Sequence, residues 1–389
     1  MTTDVGRAPP PLALYVHLPW CVRKCPYCDF NSHPLGGGTP FESYVQQLLA
    51  DLDQELEIPA ARRPLHSIFI GGGTPSLFPG DCIAALLAGV RARMALAQDA
   101  EITLEANPVT ADTGRFTAYR EAGVNRLSIG AQSLSAGALR RLGRIHDPHD
   151  VHRAVSMARA GGFDNLNLDL MFALPGQDLA AARVDLERLL DLAPEHISYY
   201  QLTLEPGTAF QASPPDLPDD ELTAEIGLQG LEHLAAAGYA HYEVSAHARP
   251  GRACRHNMNY WRFGDYLGIG AGAHGKLTET TADGWRVRRR AKQTRPEVYL
   301  SAAAGDLVSE QRDLAPPDLV FEFALNALRL TQGFARALFT ERTGLPWDVI
   351  APRVDAAIAD GLLESRGELV RPTALGRDFL DDLVSRFAD

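Results

Sequence analysis

From residue 12 to about 245 the hydrophobic positions switch repeatedly between two periods. Short apolar or alternating runs predict strands at Leu12–Leu18, Ser67–Ile70, Glu101–Glu105, Arg126–Ile129, Leu166–Met171 and His196–Leu204. Between them, apolar residues recur at helical spacing over Phe41–Leu56, Asp81–Met94, Ala111–Ala122, Ala136–Leu142 with Pro148–Ala160, and Leu179–Leu192; Asp219–Ala237 follows the sixth strand. Strands separated by crossover helices of this length lie parallel. Six repeats predict an α/β fold built as a partial (β/α)6 TIM-like barrel. The pattern alone leaves a doubly wound open sheet as the other arrangement.

Residues 246–315 are rich in Gly and Arg and read as a connecting region. After Pro316-Pro317 come helical patterns at Asp318–Leu330, Ala335–Thr343 and Trp347–Asp360, a hairpin-like Leu362–Val370 turning at Arg366-Gly367, and a last helix, Ala374–Phe387. Three helices and a hairpin predict a C-terminal winged-helix-like α+β domain. The expected division is a disordered tail at 1–11, a core at 12–245, the connection at 246–315 and the C-terminal domain at 316–389.

Composition adds limits more than identity. Of 389 residues, 46% are hydrophobic and 22% charged, as in an ordinary globular protein. No apolar stretch approaches the ~20 residues that span a bilayer, and the N-terminus lacks the apolar centre of a signal peptide, so a cytoplasmic location is expected. A net charge of −12 argues against a nucleic-acid partner, which needs clustered Lys and Arg. The C-terminal domain has 8 Arg and no Lys against 12 Asp plus Glu, the wrong sign for a winged helix that grips DNA. One basic run stands out: Arg286, Arg288, Arg289, Arg290, Lys292 and Arg295. It could steer an anionic ligand or dock on anionic lipid; a solvated strand or loop is the plainer reading.

In parallel α/β folds ligands bind at the carboxyl ends of the strands, and the unusual residues fall there. Cys21-Val-Arg-Lys-Cys25-Pro-Tyr-Cys28 follows the first strand. A closed structural zinc site wants four protein ligands, and most iron–sulfur clusters take four cysteines. Three thiolates on a four-iron cube leave one iron open for a small molecule. Zinc with His17 or His33 as fourth ligand competes; a disulfide sits poorly with five cysteines and no sign of export. Gly71-Gly72-Gly73-Thr74-Pro75 follows the second strand and lets a ligand approach the backbone, with no Gly-Lys-Ser/Thr to make it a P-loop. Glu105-Ala-Asn107-Pro108 ends the third strand, Gln132 follows the fourth and Asp169 lies late in the fifth.

These motifs, with Tyr15-Val-His17-Leu-Pro-Trp-Cys21, Arg126-Leu-Ser-Ile-Gly-Ala-Gln132-Ser133, Asn167-Leu-Asp169-Leu-Met-Phe-Ala-Leu-Pro175-Gly176, His256-Asn257-Met-Asn-Tyr260 and Gly268-Ile-Gly270, resemble the radical S-adenosylmethionine (SAM) family. The resemblance runs from about residue 12 to 385. It is narrowest to the group of oxygen-independent coproporphyrinogen III oxidase and the HemW heme chaperones. It implies a [4Fe–4S] cluster on Cys21, Cys25 and Cys28, with SAM chelating the fourth iron. Tyr15, Gly72, Gly73, Thr74, Glu105, Gln132, Arg144 and Asp169 match SAM-contacting positions. Gly72, Gly73 and Thr74 would offer backbone groups to the methionine end, Glu105 and Asp169 would accept ribose hydroxyl bonds, and Arg144 would hold the carboxylate by two bonds. Taken singly, Arg144 reads as a solvated helix-end charge and Asp169 as a strand-end carboxylate.

The resemblance also separates oxidase from chaperone. The oxidase carries a fourth cysteine two residues beyond the third, where Phe30 stands here, and a longer N-terminal extension, whereas 14 residues precede Tyr15. The stretch His256, Asn257 and Tyr260 is like one associated with heme binding, with Cys254 as a competing iron ligand. The resemblance thus implies a heme chaperone that binds a [4Fe–4S] cluster, SAM and heme b and delivers heme to respiratory membrane proteins. Coproporphyrinogen decarboxylation is the alternative. Peripheral membrane contact and a homodimer belong to the same expectation.

Overall fold

A computed structural model of the chain describes residues 8–282, 284–303 and 305–388. Six parallel strands, β1 (Leu12–Leu18), β2 (Leu65–Gly72), β3 (Leu96–Ala106), β4 (Arg126–Gln132), β5 (Leu166–Phe172) and β6 (His196–Gln201), stand side by side in chain order. A doubly wound sheet reverses its order at a switch point. No reversal occurs here, so every crossover steps the same way and all its helices cover one face.

Those helices are α1 (Phe41–Glu55), α2 (Gly80–Arg93), α3 (Thr113–Ala122), α4 (Pro148–Ala160) and α5 (Leu179–Leu190). Leu48, Leu52, Ile83, Leu86, Phe116, Val151 and Leu186 on the helices join Leu14, Val16, Ile68, Ile70, Leu104, Ile129 and Leu168 on the strands in one buried cluster. Each such side chain contributes roughly 1.5–3 kcal/mol by leaving water. The period of two sends the intervening residues to the other face. Tyr15, His17, Ser67, Glu101, Thr103, Glu105, Arg126, Ser128, Asn167, Asp169, His196, Ser198 and Tyr200 thus line a polar, concave interior. Its curvature shows where Tyr200 on β6 donates to Gln132 Oε1 at the end of β4, 2.7 Å away and two strands over. The expected partial barrel is what forms.

The supposed connection, 246–315, is instead largely sheet. β7 (Ala240–Glu243) and β8 (Ala246–Ala248) extend the sheet beyond β6. β9 (Asp265–Ile269) returns to lie parallel beside β1, and β10 (His274–Thr281), β11 (Gly284–Lys292) and β12 (Val308–Asp313) continue antiparallel. The twelve strands run β12-β11-β10-β9-β1-β2-β3-β4-β5-β6-β8-β7. Arginines on β11 hid the strand pattern because they are half-buried through ion pairs. Arg286 meets Glu279 at 3.1 Å, Arg288 meets Asp313 at 2.9 Å, Arg289 meets Glu322 at 2.6 Å and Arg290 meets Glu55 at 2.9 Å. Those four arginines and Lys292 are therefore neutralised within the fold, while Arg295 is exposed. Arg295 leads into the short helix Pro296–Ser301.

The expected tail is shorter at its inner end. The Pro10 carbonyl accepts from Arg63 and the Pro11 carbonyl accepts from the Asp265 amide at 2.9 Å; residues 1–7 lie outside the described ones. Past α6 (Asp220–Ala236) and α7 (Arg255–Trp261), the C-terminal domain starts with α8 (Pro316–Ala327). Helices Arg336–Thr343 and Ala351–Ala359 follow, and the hairpin Leu363–Arg366 with Leu369–Pro372 takes Phe334–Ala335 as third strand. That is a winged-helix arrangement. Its last helix comes in two pieces, broken at Phe379. Phe323, Phe334, Phe339, Val354, Val370 and Leu383 form its core, joined by Phe263 and Val287 from the barrel side. No helix among the described residues is long and apolar enough to cross a membrane.

Lys292 ties β11 to α1. Fully buried, it bonds Asp51 and Glu55, the latter at 2.5 Å, while Asp51 also accepts from Tyr299 at 2.7 Å. Removing one partner of a buried pair strands the other charge, at a cost of about 3–5 kcal/mol. Lys292→Met should lower unfolding stability by that amount in urea titrations. Arg366→Met, which loses an exposed 3.4 Å pair with Glu364, should change it by less than about 1 kcal/mol.

Candidate cluster and cofactor site

Beyond β1, Trp20–Cys21 pairs with His33–Pro34 in a small parallel ladder that clamps both ends of the cysteine loop. Cys21, Cys25 and Cys28 sit half-buried on the rim. Each sulfur has its own polar neighbour. Thr74 Oγ1 donates to Cys21 at 3.4 Å, Arg144 Nη1 donates to Cys25 at 3.5 Å, and Ser32 Oγ lies 3.7 Å from Cys28. Among the described residues no three His, Cys, Asp or Glu side chains gather closely enough for one metal ion. Zinc needs donors converging at about 2.0–2.3 Å, whereas thiolates on different irons of a cube stand further apart. The zinc alternative also loses its histidines. His17 is engaged through Nδ1 with the Tyr15 hydroxyl (3.0 Å) and through Nε2 with the Asn31 carbonyl (2.8 Å), and His33 turns to Asn31 Oδ1 at 3.1 Å. Burial pushes the Cys21 thiol up, and charge on Cys28 and Cys25 adds to this against the Thr74 hydrogen bond. A cationic metal core would relieve that repulsion, so three thiols with one guanidinium and two hydroxyls fit an iron–sulfur cluster.

The glycine segment lies directly on the start of this loop. Gly72 has φ +117°, and a Cβ on Gly73 would stand 2.6 Å from the Trp20 carbonyl oxygen. Only glycine permits the approach that brings the Thr74 hydroxyl to Cys21. The amides of Gly72, Gly73 and Thr74 donate to Glu105 Oε2 (3.1 Å), Leu18 O (2.8 Å) and Trp20 O (2.7 Å). Arg144 is a cation suited to a carboxylate. It is half-buried and held by Gly130 O at 2.9 Å and His146 Nδ1 at 3.3 Å, which excludes a solvated helix-end charge.

Deeper in, Glu105 and Asp169 face each other across β4. Burial, then the charge of Asp169, push Glu105 up to about 8 against the Gly72 hydrogen bond. Burial also raises Asp169, opposed by hydrogen bonds from Asn167 (2.7 Å) and Ser198. The two titrate as a coupled pair carrying less than two charges at neutral pH, which suits neutral hydroxyl donors. Gln132, at a bulge in the β4–β5 register, adopts φ +64°. Such backbone strain in a non-glycine residue marks functional rims. Tyr15 stacks on Phe69, with ring centroids 6.4 Å apart.

The stretch His256, Asn257 and Tyr260 lies at the opposite end, on the barrel floor. Glu101 on β3 accepts from the Arg255 amide (2.9 Å), the His256 amide (3.2 Å) and the Cys254 thiol (3.5 Å), a carboxylate placed on the positive end of α7. His256 is 1% exposed, with Nδ1 at 3.1 Å from Ser67 Oγ and Nε2 at 2.7 Å from the Tyr260 hydroxyl. Burial, with His66 and Arg126 adding, pushes it down to about 3. In this arrangement neither nitrogen is open to iron, contrary to an axial role. Cys254, pushed by burial up to about 12, is a protonated thiol, and the Asn257 amide turns to its sulfur. Of the three expected heme residues, Tyr260 lines a cavity. With Trp261, Phe263, Tyr266, Lys276 and Arg289 it lines about 180 Å³ between the floor and α8.

The eleven rim residues thus converge, and the three floor residues stand apart from them. Sequence reasoning missed Tyr27, which contacts Cys25 and Arg144, and the inward-facing Asn167, Ser198, Tyr200 and Arg126. Strand parity, extended from Asp169, would have found all but Tyr27.

Residues 15–189 match the Radical SAM superfamily and 314–379 the HemN C-terminal domain. Over 378 residues, 97% of this chain and 98% of its relative, the sequence is 51% identical to "Heme chaperone HemW" of Escherichia coli (strain K12). The protein of the same name from Haemophilus influenzae is 44% identical, again over 97% of this chain and 98% of that one. A structure titled "Coproporphyrinogen III oxidase (HemN) from Escherichia coli is a Radical SAM enzyme" superposes with TM-score 0.81 at 23% identity, covering 98% of this chain and 91% of that one. At that identity the likeness is one of fold.

Because Glu105 holds a proton in the folded chain that the unfolded chain releases from about pH 4.5, folding stability should fall as pH rises from there to about 8. Gln does not titrate. The melting temperature of Glu105→Gln relative to the native chain should therefore climb across that window and level off above it. A difference that stays flat with pH would contradict the carboxyl assignment.

Proposed function

The chain belongs to the radical SAM superfamily and, along nearly its whole length, to the family of the heme chaperone HemW, and from that premise we propose that it is a heme carrier with a [4Fe–4S] cluster and SAM at its rim. The observation that carries this reading is the 51% identity spanning both chains, supported by the convergence of three thiols and eight further residues at one end of the barrel. A cluster on Cys21, Cys25 and Cys28 would supply an iron with an open coordination position and one-electron chemistry. Carbonyls of Gly72 and Gly73 would receive the amino group of SAM, Arg144 its carboxylate, and Glu105 and Asp169 the ribose hydroxyls. Gln132 and Tyr15 would shape the space between.

Phe30 bears on the choice between carrier and oxidase. It stands 60% exposed where the oxidase group has its fourth cysteine, so this loop offers no thiol there. We therefore assign no coproporphyrinogen decarboxylation to the chain. For heme, the floor supports contact through the aromatic walls of the junction cavity, Tyr260 and Trp261 above all, rather than iron ligation by His256. The recipients we infer are respiratory membrane proteins.

Anaerobically reconstituted protein should show a cubane spectrum, bind about one heme b per chain and leave coproporphyrinogen untouched under reducing conditions. His256→Ala should keep the position of the heme absorption band while losing about 2–4 kcal/mol of stability, since two buried hydrogen bonds and a packed ring go. Trp261→Ala should weaken heme binding about tenfold or more. A band shift in His256→Ala with unchanged affinity in Trp261→Ala would return the iron to the histidine.

A further inference from the structure

We propose that the cavity between the barrel floor and α8 binds a flat ring bearing a carboxylate, an inference that rests on the heme-carrier reading where the ring is a propionate-bearing edge of heme. The cavity lies among α7, β9 to β11 and α8 and measures about 180 Å³. A cavity of about 150 Å³ admits one benzene ring. This one therefore takes a single ring with a short acid arm and excludes a four-ring macrocycle. Trp261, Tyr266 and Asn326 on its wall are half-buried, and along them it meets solvent. A tetrapyrrole would enter by one edge and leave its iron outside, in keeping with the internal hydrogen bonds of His256.

The walls select a ring. Tyr260 and Tyr266 meet edge to face with centroids 4.5 Å apart, and Trp261 stands 6.4 Å from Tyr260. Phe263 is buried with Lys276 Nζ 4.1 Å from its ring centroid. Its backbone adopts φ +53°, a conformation that bulky side chains rarely take and that gathers at ligand sites. Flat rings pack edge to face or offset on such side chains.

The charge selects an acid. Lys276 and Arg289 are the cations of the wall. On the β11 side charges balance: Arg289 pairs with Glu322 at 2.6 Å, and Arg312 reaches Glu322 at 3.1 Å and Asp318 at 3.5 Å. On the β10 side they do not. Lys276, 1% exposed, and Arg63 share Asp265 alone, at 3.0 Å and 2.7 Å. The hydrogen bonds lean the same way. An ammonium carries three donors, and among the described residues that of Lys276 makes one hydrogen bond, to Asp265. Trp261 Nε1 is buried without an acceptor. The Tyr266 hydroxyl accepts from Arg289, and its own proton has no acceptor among the described residues. The spare groups of the wall are chiefly donors beside a surplus cation, which is what a carboxylate satisfies.

The test sets each acid against a neutral counterpart on the full chain: hemin against hemin dimethyl ester by absorption titration, and phenylpropionate against phenylpropanol by calorimetry. The native chain should bind the acid about tenfold more tightly than its counterpart, or better. Lys276→Met should abolish that margin while holding affinity for the ester within about twofold of native, since Asp265 keeps Arg63. Tyr266→Phe, which keeps the ring and removes one donor, should cut the margin about threefold and serves if Lys276→Met does not fold. A margin for hemin that Lys276→Met removes upholds the site with a tetrapyrrole edge as its ligand. A margin for phenylpropionate with no hemin bound upholds the site for a free ring acid and removes the carrier reading instead. Hemin and its ester bound alike by the native chain, with phenylpropionate ignored, would overturn the proposal and leave the carrier reading standing. A margin that survives both substitutions would overturn it too.

Discussion

A barrel wound in one direction has an inside, and polar groups placed there must be satisfied by one another. That constraint organises this molecule. Stepping every crossover the same way puts five helices on the outer face and turns alternate residues of six strands inward. Here those residues include two histidines, an arginine and several carboxyl groups. An unpaired buried polar group costs about 1–3 kcal/mol, so most of the interior is knitted, Thr103 Oγ1 and Arg126 Nε being left without a hydrogen-bond partner. Asn167 joins Ser128, Asp169 and His196, and His196 reaches Tyr242 at 2.8 Å. Closing the floor is part of the same solution. Helix α7 sits there because Glu101 receives its first amides and Ser67 receives His256.

The two ends of the barrel accordingly divide the labour. The rim gathers three thiols, the glycine segment, one arginine and a carboxyl pair. At the floor every donor and acceptor of the His256 pair is engaged internally. A histidine flanked at 2.7 Å and 3.1 Å and pushed down to about 3 is a structural strut. The glycine segment is intermediate, with its amides committed to the fold: they donate to Glu105, Leu18 and Trp20.

How much of this the sequence disclosed depended on whether the physics was local. Strands β1 to β6 and their helices follow from period, and the rim residues other than Tyr15 and Arg144 from their place at strand ends, so these were legible without coordinates; Tyr15 and Arg144 came only from the resemblance. Region 246–315 was not. Its strand β9 owes its existence to β1, more than 240 residues earlier in the chain, with Leu12 opposite Asp265 and Val16 opposite Ile269. Its arginines look like surface until Glu55, Asp313 and Glu322 are seen beside them. The environment of the motif His256 to Tyr260 was hidden for a related reason. Residue identities suggest a ligand, but a helix spaces positions four apart on one face, and that face is turned to Ser67.

The separation of rim and floor constrains how the two cofactors can influence each other. Asp169 belongs to the rim, yet its hydrogen-bond chain runs through Asn167 and His196 to Tyr242. Tyr242 stands where the C-terminal domain abuts the barrel: its carbonyl accepts from Thr331, and its neighbour Glu243 pairs with Arg329 at 3.0 Å. Arg329 in turn stacks over Trp261 at 4.3 Å, on the wall of the junction cavity. A continuous set of packed and bonded groups therefore connects the carboxyl proposed for SAM with the cavity proposed for heme. Contiguity is not coupling, and the two ligands would communicate only if each prefers a different placement of the C-terminal domain. The domain has its own core and meets the barrel apolar core through Phe263 and Val287, so its placement rests on few apolar contacts and on ion pairs, Arg329 with Glu243 and Arg289 and Arg312 with Glu322. That is the joint at which occupancy of one end could be felt at the other.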